Sequence, residues 1–333
     1  MFEVTRNSTL RVGAAAAIGI AAAIVSLLLL PLTHGADFAQ FYFHTREWLA
    51  GGNAYAGNFR VTPDTHVEPR PFFYPFPTLF AIAPFALLPL GVALAAFIGI
   101  SSACLAFAVL ARCPSRLPIF FGSGFFVALV LGQWSPILTA SVVLPALGWV
   151  AVLKPNLGVA TTATNPTRVA IFGGGGLLAV SLIIQPSWPV EWLRNLHAMP
   201  PHPMPIQVPG GFLILLALLR WRRREARLLA AMACVPQLMY FADQLPLWLV
   251  AETRRQSVLL SALSSTAWAA SLVVNIEAGR QPAFSSVPYV LAGVYLPALI
   301  MVLRRPNEGP VPAWVERLLS RFRKSNGDVL PSS

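Results

Sequence analysis

Asp37 is the residue whose type and place speak most directly of chemistry. It follows an uncharged run from Val12 to Leu32 and opens the segment Asp37-Phe38-Ala39-Gln40. A carboxylate just past an apolar helix sits at the bilayer edge, where an ionisable group is expensive and points to function. From Asp37 to Leu49 the spacing predicts a helix, and Gly51-Gly52 ends it. On that helix Asp37, Gln40, Phe41, His44 and Trp48 share a face. Phe38, Tyr42, Thr45 and Leu49 form a neighbouring face that can lie on lipid. A carboxylate with a histidine one or two turns away is well placed to be a general base. The structural alternative is that Asp37 is a helix N-cap.

Two further breaks in apolar sequence carry polar groups. Lys154-Pro155-Asn156 interrupts a hydrophobic stretch, and a lone lysine there can bind an anion such as a lipid phosphate. The alternative is a lysine at a helix end, with Pro155 forcing the break. Gln133, in Leu-Gly-Gln-Trp-Ser-Pro, can hydrogen-bond a sugar or satisfy freed backbone groups. No metal-ligand spacing and no convincing Ser-His-Asp order is present. Gly173 to Gly176 lack a following Lys-Ser/Thr, so they read as close helix packing rather than a phosphate loop. Without a DxD-like acidic pair, a metal-bound nucleotide-sugar donor is disfavoured. A lipid-linked donor is compatible, since Lys and Arg can meet its leaving phosphate. No metal and no cofactor is expected.

The elements that must position these residues are membrane helices. The chain has 333 residues, 56% hydrophobic and 11% charged, against about 25% charged in a soluble domain. The charges cluster between long apolar runs: Val12 to Leu32, Leu90 to Ala111, Val169 to Ile184, Ser257 to Val274 and Ser285 to Leu303. A bilayer core of roughly 30 Å takes about 20 such residues per helix, and continuous runs favour helices over a barrel. The expectation is an all-α polytopic bundle of nine to eleven membrane elements, some not fully spanning. Residues 1–310 would form the membrane domain and 311–333 a basic cytoplasmic tail. In that tail, Val315 to Lys324 reads as an amphipathic helix on the lipid surface. The first run is read as a retained signal anchor.

The net charge of +11 fits the positive-inside rule, and no nucleic-acid module is visible. Arg6 and Arg11 put the N-terminus in the cytoplasm. Arg220 to Arg227, Arg254-Arg255 and Arg304-Arg305 mark the same face. Outer loops then fall at Thr33 to Phe72 and Gln185 to Pro209. These hold all five histidines: His34, His44, His66, His197 and His202. Between Phe73 and Arg116 the parity stays open. Two crossings place Arg112 and Arg116 outside; one places them inside but leaves residues over. Cys104, Cys113 and Cys234 read as inert apolar-phase residues.

The order of motifs carries a resemblance. It runs Ala36-Asp37-Phe38 with Tyr42; Leu49-Ala50-Gly51-Gly52 with Ala54-Tyr55; Phe73-Tyr74-Pro75-Phe76-Pro77 with Ala83-Pro84-Phe85-Ala86-Leu87-Leu88-Pro89; Leu131-Gly132-Gln133; and Leu153-Lys154-Pro155-Asn156. Over about the first half of the chain this resembles glycosyltransferase family 87, the polyprenol-phosphate-mannose-dependent mannosyltransferases of the GT-C superfamily. The resemblance implies a GT-C-like fold and an inverting transfer at the outer face of the cell (inner) membrane. The donor would be a polyprenyl-phosphate sugar, most often mannose, and the acceptor a glycolipid or glycan hydroxyl. Asp37 would take the acceptor's proton, and Lys154 would neutralise the leaving phosphate. Tyr74 and Gln133 would shape the sugar or lipid pocket. Gln40, Tyr42, His44 and Asn156 are candidates to line it. The family's basic loop between its Gly-Gln and Lys-Pro is absent here. Only roughly one uncharged span's worth of chain separates Gln133 from Lys154.

Two other classes compete. A lipid or solute carrier would want a carboxylate deep in a helix, for which Asp243 is the candidate, and paired discontinuous halves, which are not seen. An inactive scaffold of envelope assembly would lack a cavity beside Asp37.

Overall fold

A computed structural model describes residues 2–56, 70–199, 202–311 and Glu316; the side chains of residues 2–7, 283 and 284 are outside that description. His66, Asp64, Glu68 and the amphipathic tail therefore lie outside the described residues. The described chain is helical, with no strand among its described residues. Three helices are long and apolar enough to cross a membrane: Ser8–Thr33, Leu90–Arg112 and Arg254–Glu277. Two bent helix pairs raise that number to at most five, and the shorter apolar helices are Pro77–Ala86, Gly211–Arg220 and Val287–Leu303. The expected nine to eleven membrane elements, some not fully spanning, thus appear among the described residues as a mixture of long, bent and short apolar helices. Proline and glycine divide several apolar runs into pieces too short to cross alone.

The frame is an antiparallel pair, α1 (Phe2–Thr33) and α4 (Leu90–Arg112). Glycines let their backbones meet. A Cβ on Gly19 would lie 2.6 Å from the Gly99 carbonyl oxygen and 2.8 Å from Ala103 Cβ. Such small-residue contacts drive helix association where no hydrophobic effect operates. Between the two come α2 (Ala36–Leu49) and α3 (Pro77–Ala86). At about 1.5 Å per residue, ten-residue α3 covers about 15 Å, half a bilayer core. It packs on α2, and the corner after it returns to α2, where Tyr42 Oη donates to the Leu88 carbonyl at 2.7 Å.

The residues before α4 form the short α3, which stays at the α2 end, and α4 is the one long apolar helix between Phe73 and Arg116. At its far end Arg116 donates to the Ala251 carbonyl at 2.6 Å and Ser115 to that of Glu252 at 2.9 Å. Arg223 and Arg305 both pair with Glu252 there. Arg116 thus joins the basic cluster.

Helix α5 (Ser123–Leu131) ends just before Gln133, and the stretch between Gln133 and Lys154 is not one long helix: it consists of α6 (Ser135–Val143) and a 3-10 segment, Pro145–Leu153, that packs back on α6. Nine α residues rise about 13 Å and nine 3-10 residues about 18 Å, so both halves fall short of about 30 Å. The chain goes in and comes back. After α7 (Pro155–Thr164) and α8 (Gly174–Ile184), the chain bends by 98° into α9 (Trp188–His197). Only Gly173 and Gly174 of the glycine run make close contacts, to Trp149 and Val152; Gly175 and Gly176 face open space. Helices α10 (Arg224–Ala233) and α11 (Arg254–Glu277) complete the surround.

The second face of α2 departs from the sequence expectation. Phe38, Tyr42 and Thr45 are buried rather than laid on lipid. Phe38 stacks 5.1 Å from Phe97 of α4 and fills the space above Gly132. Because α4 covers that side, only Arg46 and Leu49 at the helix's later turns remain exposed.

Candidate functional site

Three consecutive residues with left-handed backbone, His34 (φ 48°), Gly35 (φ 81°) and Ala36 (φ 42°), join α1 to α2. This conformation is costly for residues with a Cβ. It delivers Asp37 into the first turn of α2, and Gly35 takes the N-cap position with no side-chain cap. Asp37 is therefore not the cap. Its carboxylate is left for other contacts.

The contact it makes is with Gln133. Helix α5 ends at Gly132, whose φ of +64° forms a left-handed C-cap. A Cβ there would sit 2.5 Å from Phe38 Cβ, so only glycine permits this approach of α5 to α2. The corner turns the Gln133 side chain inward, where Nε2 donates to Asp37 Oδ2. The other end of the same amide, Oε1, accepts from Lys154 Nζ at 2.8 Å. Lys154 Nζ also donates to Asp243 Oδ1 at 2.5 Å. Asp37, Gln133, Lys154 and Asp243 thus form one connected line across four chain segments.

The line is buried. Gln133 is 1% exposed, Lys154 7% and Asp243 2%; Asp37 is partly exposed. Burial is the largest influence on Asp37 and raises its pKa above the ordinary aspartate value; Lys154 opposes that rise and Asp243 adds to it. Arg70 also acts on Asp37 through its charge. Tyr74 lies against Gln133 and feels both aspartates, and burial lifts its phenol well above the usual range. Its ring meets Phe41 edge-on at 4.5 Å.

Asp243 was named from the sequence only as a carrier's carboxylate, and its part here went unread. It sits in a turn beginning after Leu238, whose N–H donates to Asp243 Oδ2 at 3.0 Å. Phe241, two residues earlier, has φ +63°. A buried amide network holds the turn: Gln244 donates to Gln237 Oε1 at 2.7 Å, and so does the Tyr295 hydroxyl at 3.0 Å. Asn156 fixes it from α7 by donating to the Pro236 carbonyl at 2.8 Å. Asn156 thereby clamps the turn that carries Asp243. His202 of the second loop is the other residue the sequence reading placed too loosely. Burial lowers its pKa, and the charges of Asp243 and Lys154 reach it.

The remaining candidates serve as supports. His44 Nε2 contacts the Arg70 carbonyl at 2.8 Å, its ring lies 5.0 Å from Phe72, and burial lowers its pKa. Seven residues along a helix is about 10 Å, so His44 is too far from Asp37 to share a proton with it. The Tyr42 hydroxyl accepts from Arg46 at 3.2 Å as it donates to Leu88, so it faces the α3–α4 corner. Gln40 stands on α2 less than one turn beyond Asp37, partly buried.

Chemically the arrangement offers a desolvated carboxylate, an amide spacer and an ammonium. An ammonium has three donors, and two are taken by Gln133 and Asp243. Among the described residues no cluster of three His, Cys, Asp or Glu groups could hold a metal ion. No protein-family model, curated protein or solved structure matches the chain.

Proposed function

We propose that the chain is a multi-pass inner-membrane glycosyltransferase that moves a sugar from a polyprenyl phosphate to an acceptor hydroxyl. The reading draws on the resemblance to glycosyltransferase family 87, which also supplies mannose as the sugar. The single observation that carries it is the Gln133 amide linking Asp37 to Lys154. A base and a phosphate-binding cation must face one reacting carbon, and here two residues far apart in sequence are one side chain apart in space.

In the proposed reaction Asp37 takes the proton of the acceptor hydroxyl. That oxygen attacks the anomeric carbon from the face opposite the phosphate, and the carbon–oxygen bond to phosphate breaks with inversion. Polyprenyl phosphate leaves with one more negative charge. The third N–H of Lys154 meets that charge, assisted by Arg70, whose charge already acts at Asp37. Burial strengthens Asp37 as a base because a raised pKa brings it nearer the operating pH. The positive-inside rule puts the Arg116, Arg223 and Arg305 end of α4 in the cytoplasm and Asp37 outside.

The test is transfer of label from radiolabelled polyprenyl-phosphate sugars by membranes containing the protein. The expected outcome is label in a new glycoside together with released polyprenyl phosphate. No transfer from any such donor, under conditions where the protein is folded, would exclude this function.

The buried Lys154–Asp243 pair favours a second reading, a proton-coupled carrier, because ionisable pairs inside membrane proteins often line ion pathways. Solute uptake by proteoliposomes under a pH gradient, abolished in Asp243→Asn, would select it.

A further inference from the structure

The motif Leu49-Ala50-Gly51-Gly52-Asn53 plays no part in the chemistry just described, yet it builds a surface site. An open groove of about 320 Å³ is lined by Trp48, Gly51, Gly52, Asn53, Gln185 and Ser187 among others. It lies where the end of α2 meets the bend between α8 and α9. Gly51 has φ +85°, and a Cβ on Gly52 would lie 2.5 Å from Glu47 Oε1, so bare backbone forms the floor. Trp48 is held by edge contacts with Phe76 at 5.4 Å and Phe80 at 5.7 Å and remains partly exposed.

We infer that this groove is a carbohydrate subsite that takes a neutral sugar unit of an acceptor glycan. Three features select that class. The rim is a fixed set of planar polar groups: Gln185 Nε2 donates to Asn53 Oδ1 at 3.0 Å and to Glu191 Oε2 at 2.8 Å, and Asn53 Nδ2 donates to Glu191 Oε2 at 3.1 Å. That network uses up one Asn53 donor and leaves Gln185 Oε1 without a donor among the described residues. Paired hydroxyls of a sugar supply both a donor and an acceptor to such a rim. The lining holds no charged residue, and Glu191 stands directly behind it. A phosphate or carboxylate would meet a carboxylate and no cation. The third feature is the partly exposed indole of Trp48, an apolar body that can cover the C–H face of a sugar ring.

Position decides which sugar. Eleven residues of α2 separate Asp37 from Trp48, about 16 Å along the helix. The groove cannot hold the hydroxyl that reacts at Asp37. It suits a unit further along the same glycan, so the acceptor would be an oligosaccharide chain or glycolipid head of several units. The acceptor assignment rests on the transfer reading; the sugar-binding assignment does not.

The test is titration calorimetry of the full chain in lipid nanodiscs with mannotriose and maltotriose, and with mannose 6-phosphate as the anionic control. Expected is saturable binding of a neutral trisaccharide and none of the phosphate at this groove. Gln185→Ala should weaken binding about tenfold, the worth of one or two hydrogen bonds. Trp48→Ala should weaken it more, while Gln185→Ala, at the surface, guards against a folding artefact. In a transfer assay Gln185→Ala should raise the acceptor KM with kcat kept. Sugar binding by a protein that transfers nothing would keep the groove and remove the reaction. Active protein whose trisaccharide affinity and acceptor KM ignore Gln185→Ala would remove the groove alone, as would failure of both trisaccharides to bind.

Discussion

Among the described residues the protein carries two ion-pair clusters, and they differ in what water can reach. In the basic cluster Arg223 and Arg305 share Glu252 at 2.9 and 3.2 Å, and the Glu252 side chain is 43% exposed. Guanidinium groups there also take backbone carbonyls: Arg305 binds that of Val250, and Arg220 that of Leu303. Here the exposed partner is the carboxylate: the Arg223 and Arg305 side chains are 16% and 7% exposed, so water screens these pairs from the Glu252 side. In the other cluster Lys154 and Asp243 meet at 2.5 Å with 8% and 2% side-chain exposure. Desolvating such a pair is expensive, and replacing it with apolar residues is often neutral or stabilising. The backbone differs in the same sense. The three non-glycine residues with left-handed φ among the described residues are His34, Ala36 and Phe241. All three stand within three residues of Asp37 or Asp243. Strain and buried charge are thus concentrated at one place, the pattern that functional sites show.

Breaking one partner in each cluster should expose the difference first. Lys154→Ala leaves Asp243 buried without its cation and should cost about 3–5 kcal/mol. Glu252→Gln should cost no more than about 1 kcal/mol, and less in high salt. Denaturation of both variants in one detergent would measure the gap, and equal losses would contradict the contrast. Next, Gly132→Ala forces a Cβ into Phe38 at a φ of +64°. It should destabilise the fold by about 1–3 kcal/mol and detach Gln133 from Asp37. The smallest change has the opposite sign. Ala36→Gly relieves a φ of 42° and should stabilise by about 1 kcal/mol, visible as a modest rise in Tm.

A pH profile sharpens the same comparison. Only ionised Asp37 can take a proton, and burial raises its pKa. Transfer should therefore fall as pH drops through that raised value, with the acid limb above the ordinary aspartate value of about 3.9. The profile of kcat/KM would show the limb. A limb at or below the ordinary value would mean that Asp37 is not desolvated during turnover.

Much of this was legible in the sequence where local rules suffice. The α2 helix and its glycine end, the long apolar helices α1, α4 and α11, and the breaks at Gln133 and Lys154 all follow from spacing, hydropathy and proline. The expected lipid face of α2 failed because nothing local says that α4 covers Phe38 and the corner before α4 covers Tyr42. The same blindness hid the return of the chain between Gln133 and Lys154. An apolar run of span length reads as a span, and only Pro145, in its middle, hints at two halves. Asp243 escaped because its meaning comes from Lys154, 89 residues away. An acidic residue inside an apolar stretch was the available signal, and it named a buried charge without naming its partner.

Single-turnover transfer from a labelled polyprenyl-phosphate mannose, with purified wild-type protein and Asp37→Asn side by side, bears most directly on the shared Asp37–Gln133–Lys154 line. Transfer should fall by about 10²–10⁴-fold in Asp37→Asn, the usual worth of a general base, with donor binding retained. Wild-type turnover by Asp37→Asn would contradict it.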